Sequence, residues 1–368
     1  MKRFLECLIP LTLCNLKCEY CYVIQEGRRS MTKPVMQYSP EQIGMGLSVE
    51  RLGGVSYVSI CGSGETMMAA DIVSVVYNVL KQGHFVNVTT NGTISKRFDE
   101  IVDTFPGDYL KRLHFAFSFH YLELLKHNKL DEFFNNISKI RSAGCSFTLQ
   151  INLYDAYMPH WDEIKRISKE KVGAYPQVAL TRDESVRSYR ILTEGTNEKY
   201  ISVGKEMDSP LFDFTVKNFM VRRREFCYAG AWSGKLNLAT GILSGCYGYG
   251  IIQNIFKDIS KPIKFEALGK NCMFKFCFNS SHFMSLGCVP SIKTPTYAEL
   301  RNRRESGWYT DEMEAFLSGK LSDDNSEYPA LRKHCVTFKY YFVNKFRSLR
   351  YRLLYLFAAT ARRLGARK

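Results

Sequence analysis

The stretch "VSYVSICGSGET", residues 55–66, joins a strand pattern to a turn pattern. Its first seven residues end at Cys61 and are rich in β-branched and aromatic side chains, which predicts a strand. Gly62 and Gly64 follow, and glycine lets other backbone approach closely. Glu65 then adds a negative charge. The stretch therefore predicts a strand that leads into a tight turn carrying a carboxylate.

Four similar runs follow this one at nearly constant spacing. The five runs end at Cys61, Thr90, Phe119, Ile151 and Leu180, at intervals of 29, 29, 32 and 29 residues. One strand-helix unit takes about 30 residues. Helix-compatible segments accompany the runs, at residues 40–52, 70–82, 130–142 and 161–171. With a first strand in residues 1–14, the alternation predicts an α/β fold of six βα units, in which helices lie outside a parallel sheet.

A second signal is the stretch "LTLCNLKCEYCYV", residues 11–23, which places Cys14, Cys18 and Cys21 within eight residues. A disulfide would leave one thiol over, and disulfide frameworks belong to short secreted chains rather than to one of 368 residues. A zinc site could use these thiols with a distant fourth ligand. Three thiolates on one loop also suit an iron–sulfur cluster whose fourth iron keeps an open position.

The run "CNLKCEYC" resembles the CxxxCxxC signature of the radical S-adenosylmethionine (SAM) superfamily. The resemblance implies a partial (βα)6 TIM-like barrel over residues 1–185, with a [4Fe–4S] cluster on Cys14, Cys18 and Cys21. SAM would bind the open iron, and one electron would cleave it to a 5′-deoxyadenosyl radical that abstracts a hydrogen atom from substrate. A reductant such as flavodoxin or ferredoxin would supply the electron.

The same resemblance implies residues that bind SAM. The turn "CGSGET" resembles the family's GGE motif, which binds the amino group of SAM, although Ser63 interrupts the adjacent glycines. Tyr20 would lie against the adenine, and "TTNGT" resembles a TNG segment of the family. Ser118 and His120 would contact the ribose or methionyl part, with a purely structural role as the alternative for His120. The predicted cofactor-binding residues are Tyr20, Gly62, Gly64, Glu65, Asn91, Ser118 and His120.

Arg182 follows the sixth predicted strand, and in parallel barrels the loops after the strands converge on one mouth. It is the candidate catalytic residue, either to clamp the carboxylate of SAM or of a substrate or to take part in proton transfer. A solvated loop is the alternative for this charged segment.

A second group of cysteines lies in residues 227–288. The run from Cys227 to Cys246 resembles the opening of SPASM and twitch domains, which hold auxiliary iron–sulfur clusters behind many radical SAM barrels. The full SPASM cysteine run is missing, and five thiols can complete one four-iron cluster but not two. We therefore expect a small cysteine-rich domain over residues 227–295 with one auxiliary [4Fe–4S] cluster, and zinc as the alternative. Its candidate ligands are Cys227 and Cys246 plus two among Cys272, Cys277 and Cys288.

The remaining segments are less specific. Residues 186–226 predict a linker with strand, and residues 296–368 predict a helical region that ends in a basic helix. The net charge is +15, and residues 330–368 hold eleven Lys and Arg without an acid, which leaves +4 for residues 1–329. Aromatic side chains interleave with these cations, which predicts an amphipathic helix on an anionic membrane surface. RNA binding and packing on the barrel are alternatives.

Composition limits the cellular setting and the function. No apolar run reaches the roughly 18 residues that a membrane span requires, and cysteine usage indicates a reducing compartment. The sequence predicts a radical SAM oxidoreductase that is cytoplasmic or peripheral at the inner face of the membrane. Because Cys14 lies near the start, we expect no separate peptide-recognition domain before the barrel, which favours a small-molecule or carbohydrate substrate. A peptide-modifying maturase and a noncatalytic zinc-stabilised protein that binds RNA or membrane are the alternatives.

Overall fold

The computed structural model describes residues 1–32, 34–185, 189–247, 249–270, 272–343 and 345. Six parallel strands form the barrel sheet, and each pairs with the next one along the chain. They are β1 (Phe4–Ile9), β2 (Tyr57–Gly62), β3 (Phe85–Thr90), β4 (Leu113–Ser118), β5 (Ser146–Asn152) and β6 (Gln177–Ala179). The predicted α/β barrel is confirmed, and each predicted strand end lies within one residue of the observed one.

Helices connect the strands and pack their apolar faces on the sheet. In α4 (Ile72–Lys81), Ile72, Val76, Val79 and Leu80 are buried at helical spacing, and this helix contacts β3. The connecting helices are α1 (Tyr22–Gln25), α2 (Pro40–Gly46), α3 (Val49–Leu52), α4 (Ile72–Lys81), α5 (Ser95–Thr104), α6 (Gly107–Lys111), α7 (Tyr121–Lys126), α8 (Leu130–Ser142) and α9 (Trp161–Val172). The helix predicted over residues 130–142 is confirmed at both ends.

The segment after β6 differs from its prediction. Two helices, α10 (Asn197–Lys205) and α11 (Pro210–Asn218), occupy the stretch predicted as linker and strand, and α11 packs on β6. The strand prediction was wrong because Thr196 and Ser209, which resemble turn residues in the sequence, are N-caps that accept backbone N–H groups of these helices. Extended pairing in the described part of this segment is limited to an isolated bridge between Arg182 and Ile191.

The cysteine-rich segment continues the barrel sheet beyond β1. Its first strand, β7 (Ser233–Asn237), pairs in parallel with β1, and then β8 (Ile242–Ser244) and β9 (Gln253–Asn254) add antiparallel neighbours. Gly241 makes the β7–β8 turn with φ of +71°, a conformation that favours glycine. The strands of residues 233–254 therefore belong to the same sheet as the barrel.

Four short helices follow the last strand: α12 (Ser280–Phe283), α13 (Tyr297–Arg301), α14 (Asp311–Ser318) and α15 (Leu321–Asp324). Of these, α13 and α14 pack at the end of the barrel opposite the mouth. Phe316 of α14 stacks on Phe85 at the start of β3, with ring centroids 3.8 Å apart. The ring of Tyr297 meets that of Tyr57, at the start of β2, edge to face with centroids 5.4 Å apart.

A last helical stretch, residues 330–343, packs on the cysteine-rich segment. Val336 and Tyr340 are buried there, and the Tyr340 hydroxyl donates to Glu266 at 2.9 Å. The alternative for the tail was packing on the barrel, whereas this stretch packs on the cysteine-rich segment. Most of the predicted membrane-binding tail, residues 344 and 346–368, lies outside the described residues. In the part of the chain that the structure describes, no helix is long and apolar enough to cross a bilayer.

Candidate functional site

A cavity of about 420 Å³ lies at the carboxyl ends of the barrel strands. It brings together every residue that the sequence analysis assigned to the SAM cluster, to SAM or to catalysis in the barrel. These residues are Cys14, Cys18, Tyr20, Cys21, Gly62, Gly64, Glu65, Asn91, Ser118, His120 and Arg182. The strands bring these residues to the walls of one cavity, although they are up to 168 positions apart in the sequence.

Neighbouring loops fix the three-cysteine loop. Cys14 Sγ lies 3.4 Å from the Leu16 N–H and 3.7 Å from the Asn91 amide, both of which donate to it. Arg29 donates to the Cys14 carbonyl at 2.7 Å. Burial raises the pKa of Cys14 to about 11 and raises that of Cys18 as well. These thiols are therefore not exposed nucleophiles, and a bound metal would be needed to displace their protons.

The donor set of the loop fits an iron–sulfur cluster. All twelve cysteines of the chain are free thiols, so the disulfide interpretation is wrong. Three of them face one cavity from a single loop, and soft thiolates are the ligands that iron–sulfur clusters take. Among the described residues, no three Cys, His, Asp or Glu side chains are arranged to hold a single metal ion.

The glycine-rich turn packs directly against the cysteine loop. The Gly64 N–H donates to the Leu11 carbonyl, and the Glu65 N–H donates to the Leu13 carbonyl at 2.9 Å. A Cβ at Gly64 would overlap the Leu13 carbonyl, so this position requires glycine. The turn therefore fixes the distance between its own carboxylate and the three thiols.

The Glu65 carboxylate is buried and ties β2 to β3. It accepts hydrogen bonds from the Thr90 hydroxyl at 2.6 Å, the Asn91 N–H at 2.7 Å and the Met67 N–H at 2.9 Å. Burial raises the pKa of Glu65, and these three bonds oppose that rise. Of the two oxygens, Oε2 takes only the Asn91 N–H, so it keeps an acceptor site in the cavity for a further donor.

Tyr20 and His120 form one hydrogen-bonded unit. The Tyr20 hydroxyl lies 2.6 Å from His120 Nδ1, and the Tyr157 hydroxyl donates to Tyr20 at 3.1 Å. Burial lowers the pKa of His120 to about 4, so the ring is neutral and Nδ1 accepts the Tyr20 proton. His120 therefore orients Tyr20. No motif marks Tyr157, which lies in a short 3₁₀ helix, Asp155–His160.

Arg182 connects the barrel to the cysteine-rich segment. Its guanidinium donates to Glu184 at 2.7 Å and to the Phe278 carbonyl at 3.1 Å. Its own carbonyl accepts from the Gln25 amide at 3.2 Å, and the same amide nitrogen lies 2.8 Å from the Tyr20 carbonyl. Arg182 therefore lies where the three-cysteine loop, β6 and the residues after Cys277 meet, and it is not a freely solvated charge.

Four thiols of the second group, Cys227, Cys246, Cys272 and Cys277, are linked by their electrostatic effect on Cys246. The pKa of Cys246 is raised by burial and by the nearby charges of Cys277, Cys227 and Cys272. Cys227 is held by backbone pairing with Gly269, and Cys246 by pairing with Tyr249 just after β8. Cys227 and Cys277 also raise the pKa of the fifth thiol, Cys288, but this thiol is fully buried and donates to the Ser233 hydroxyl at 3.3 Å.

The cavity also has a wall that the sequence analysis missed. It consists of side chains from α11 and from the turn after Cys277, namely Leu211, Thr215, Phe278, Asn279, Ser281 and His282. No motif marks these residues. The polar residues 279–282, shortly after Cys277, were the available signal. A loop that supplies a metal ligand also brings the neighbours of that ligand to the site.

Comparison with known proteins identifies the family. The model of the radical SAM superfamily matches residues 8–196, more than half of the chain. A probable GTP 3′,8-cyclase from Pyrobaculum aerophilum is 26% identical over 164 residues. That match covers 42% of this chain and 50% of the relative, so the chain spans about half the length of the relative.

Two solved structures are similar at low identity. SuiB of Streptococcus suis bound to S-adenosylmethionine is 17% identical, with a TM-score of 0.48 over 70% of this chain and 64% of SuiB. Native anSMEcpe with bound AdoMet is 14% identical, with a TM-score of 0.47 over 94% of this chain and 98% of that one. From the extent of the family match, the chain is an enzyme that belongs to the radical SAM superfamily.

Proposed function

We propose that this enzyme is an oxidoreductase that cleaves SAM reductively and abstracts a hydrogen atom from a polar small-molecule or carbohydrate substrate. Membership of the superfamily implies a [4Fe–4S] cluster and SAM. The observation that carries the proposal is the single cavity in which three thiols, the predicted SAM-binding residues and a polar wall face each other.

In this proposal Cys14, Cys18 and Cys21 hold the cluster, which when bound supplies the electron for SAM cleavage. The free acceptor site on Glu65 Oε2 suits the ammonium group of SAM, because a charge-assisted hydrogen bond is the stronger kind. Tyr20, oriented by His120 and Tyr157, offers an aromatic face for the adenine.

We assign a second, auxiliary [4Fe–4S] cluster to Cys227, Cys246, Cys272 and Cys277. The mutual effect of these thiols on the pKa of Cys246 supports the grouping. Cys288 is left out because its thiol is bonded to Ser233 inside the apolar core. Zinc on the same four thiols is the alternative, and iron and sulfide analysis of the anaerobically purified protein separates the two.

The size of the cavity favours a small substrate. Pockets for small ligands span about 300–1,000 Å³, and this one, about 420 Å³, also has to hold part of SAM. The space beside SAM therefore suits a small polar molecule or one residue of a larger one. A peptide substrate stays the alternative, since a single side chain could enter the same space.

We infer a peripheral membrane contact from the helical stretch 330–343. Its outward face carries Leu331, Phe338, Tyr341 and Phe342, which are 77%, 67%, 56% and 40% exposed. Interfacial helices insert such side chains while their cations meet anionic lipids. The eleven cations of residues 330–368 favour an anionic surface, which would place the enzyme at the inner face of the membrane.

The central test of the proposed function is an assay of SAM cleavage in the absence of oxygen. Reconstituted protein with SAM and dithionite should form 5′-deoxyadenosine, and reduction should bleach an absorbance near 400 nm. A colourless protein that contains zinc and forms no 5′-deoxyadenosine would contradict the oxidoreductase and favour the noncatalytic binding protein.

A further inference from the structure

His282 is held rigidly in the polar wall of the cavity. It lies in α12 and lines the cavity opposite the three-cysteine loop. Its ring stacks on Phe4 with centroids 5.7 Å apart and meets the edge of Tyr297 at 5.4 Å. These contacts fix the plane of the imidazole, so the directions of its two nitrogens are set by the fold.

A chain of polar contacts determines which nitrogen carries the proton. Glu6 Oε2 accepts a hydrogen bond from the Asn279 amide nitrogen at 2.9 Å, and Lys235 lies 3.8 Å from the other Glu6 oxygen. Because a carboxylate only accepts, the carbonyl oxygen of Asn279 must face the other way. That oxygen lies 2.6 Å from His282 Nδ1. The Ser281 hydroxyl at 3.4 Å and Arg301 Nη2 at 3.5 Å also lie near Nδ1, but the Asn279 oxygen is by far the nearest partner. We therefore assign the proton to Nδ1 and the lone pair to Nε2.

The surrounding charges keep the ring neutral. Arg301 Nη2 lies 3.5 Å from Nδ1, and His114 is the other basic group near the ring. Burial, Arg301 and His114, in that order, hold the pKa of His282 well below its usual range. Glu6 acts in the opposite direction, but only through Asn279, and Lys235 is beside it. A neutral ring with hydrogen on Nδ1 leaves Nε2 as an acceptor that cannot donate.

His282 is only partly buried and lines the cavity. Its Nε2 makes no hydrogen bond with any residue that the structure describes, so this nitrogen is the one left for a ligand. The hydroxyl, amide and guanidinium groups of Thr215, Ser281, Asn152 and Arg182 line the same space. A ligand that covers Nε2 with an apolar or acceptor-only group would leave a buried acceptor unpaired, which is unfavourable.

From this geometry we propose that His282 Nε2 is a specificity-determining hydrogen-bond acceptor, which selects substrates that present a hydroxyl or amino hydrogen. The proposal rests on the proposed function in that it takes this cavity as the substrate site. It narrows the substrate class to polyhydroxylated or aminated small molecules, since several other groups of the wall also form hydrogen bonds.

The first experiment tests whether Nε2 is available. Anaerobic holoprotein with SAM is treated with diethyl pyrocarbonate at pH 7, and modified histidines are mapped by mass spectrometry. His114 is the internal control, because its nitrogens lie 3.4 Å from the Tyr57 hydroxyl and 3.0 Å from the Thr148 hydroxyl. His282 should react about tenfold faster than His114, which corresponds to about 1.4 kcal/mol. Equal protection of the two histidines would overturn the proposal.

The second experiment tests the ligand class with two probes of one carbon skeleton. Saturating erythritol, which offers hydroxyl hydrogens, should slow the modification of His282 severalfold. Tetra-O-methyl erythritol, which offers none, should not. Equal protection by both probes, or protection by neither, would contradict the proposal that His282 selects ligands that donate a hydrogen bond.

A separate assay of 5′-deoxyadenosine formation on the same preparation distinguishes the two levels of the proposal. If 5′-deoxyadenosine forms but the probes do not protect His282 from modification, only the role proposed for His282 is contradicted. If erythritol protects His282 but no 5′-deoxyadenosine forms, only the proposed oxidoreductase function is contradicted.

Discussion

The two cysteine groups of this enzyme are built in opposite ways. Cys14, Cys18 and Cys21 lie on one short loop that β2 and β3 hold through the Gly64 and Glu65 contacts. Cys227, Cys246, Cys272 and Cys277 come from a bridge, a hairpin end and a longer loop. A local site is visible in the sequence as a motif, whereas a dispersed site depends on packing that only the structure shows.

The largest expected effect tests the local group. Cys18→Ala should abolish SAM cleavage, because two thiolates do not hold the cluster that supplies the electron. The measurement is 5′-deoxyadenosine formed anaerobically with dithionite. Cys145→Ala is the matched control, a buried thiol outside both groups, and should keep wild-type activity. Wild-type yield from Cys18→Ala would remove the cluster assignment.

A second prediction concerns the carboxylate beside the local group. Glu65→Gln should weaken SAM binding by about 10- to 150-fold, which corresponds to the roughly 1.5–3 kcal/mol of a charge-assisted hydrogen bond. Iron content should stay unchanged, since Glu65 does not belong to the ligand set. Binding measured by equilibrium dialysis with labelled SAM, alongside iron analysis, separates the two effects. A variant that loses iron and binds SAM normally would reverse the assigned roles.

The pH dependence of SAM binding sharpens the same point. Burial raises the pKa of Glu65, and protonation of the carboxylate as pH falls should weaken SAM binding. Thr90→Val removes a hydrogen bond to the charged form, so it should raise this pKa further and move the midpoint of the binding curve to higher pH. A midpoint that stays in place, or moves to lower pH, would show that Glu65 does not control binding.

The helical stretch 330–343, which packs on the cysteine-rich segment, should give a smaller effect, on membrane binding. Phe338→Ser with Phe342→Ser should lower binding to vesicles of anionic lipid by about tenfold, because two apolar side chains no longer enter the interface. Met31→Ser with Val35→Ser, which changes exposed side chains elsewhere, is the control. Wild-type binding should also fall as salt approaches 1 M, where the Debye length is about 3 Å. Equal binding of both double variants would contradict the membrane contact.

The smallest effect tests the dispersed group directly. Cys277→Ala should lower the iron content from about eight to about four per chain, as expected for loss of one of two four-iron clusters. Cys288→Ala should leave the iron content unchanged, since this thiol is bonded to Ser233. A loss of iron in Cys288→Ala with none in Cys277→Ala would exchange their roles.

The barrel could be predicted from the sequence because its signals are local. The spacing of the strand patterns predicted the ends of β2 to β6 to within one residue. The barrel residues that the motifs assigned to the site line one cavity. The positions of His282 and Asn279 in the cavity wall could not be predicted, because Asn279 is held by Glu6, about 270 positions earlier in the chain. The strand predicted after β6 failed because caps and turns use the same residue types.

The pairing of β1 with β7 has a consequence for synthesis of the chain. At about 5–20 residues per second, the roughly 230 residues between these strands take about 10–45 seconds to emerge from the ribosome. During this interval one edge of β1 lacks its permanent neighbour, and an open edge invites pairing with other chains. We therefore expect nascent chains shorter than about 240 residues to depend on chaperones, while longer ones do not.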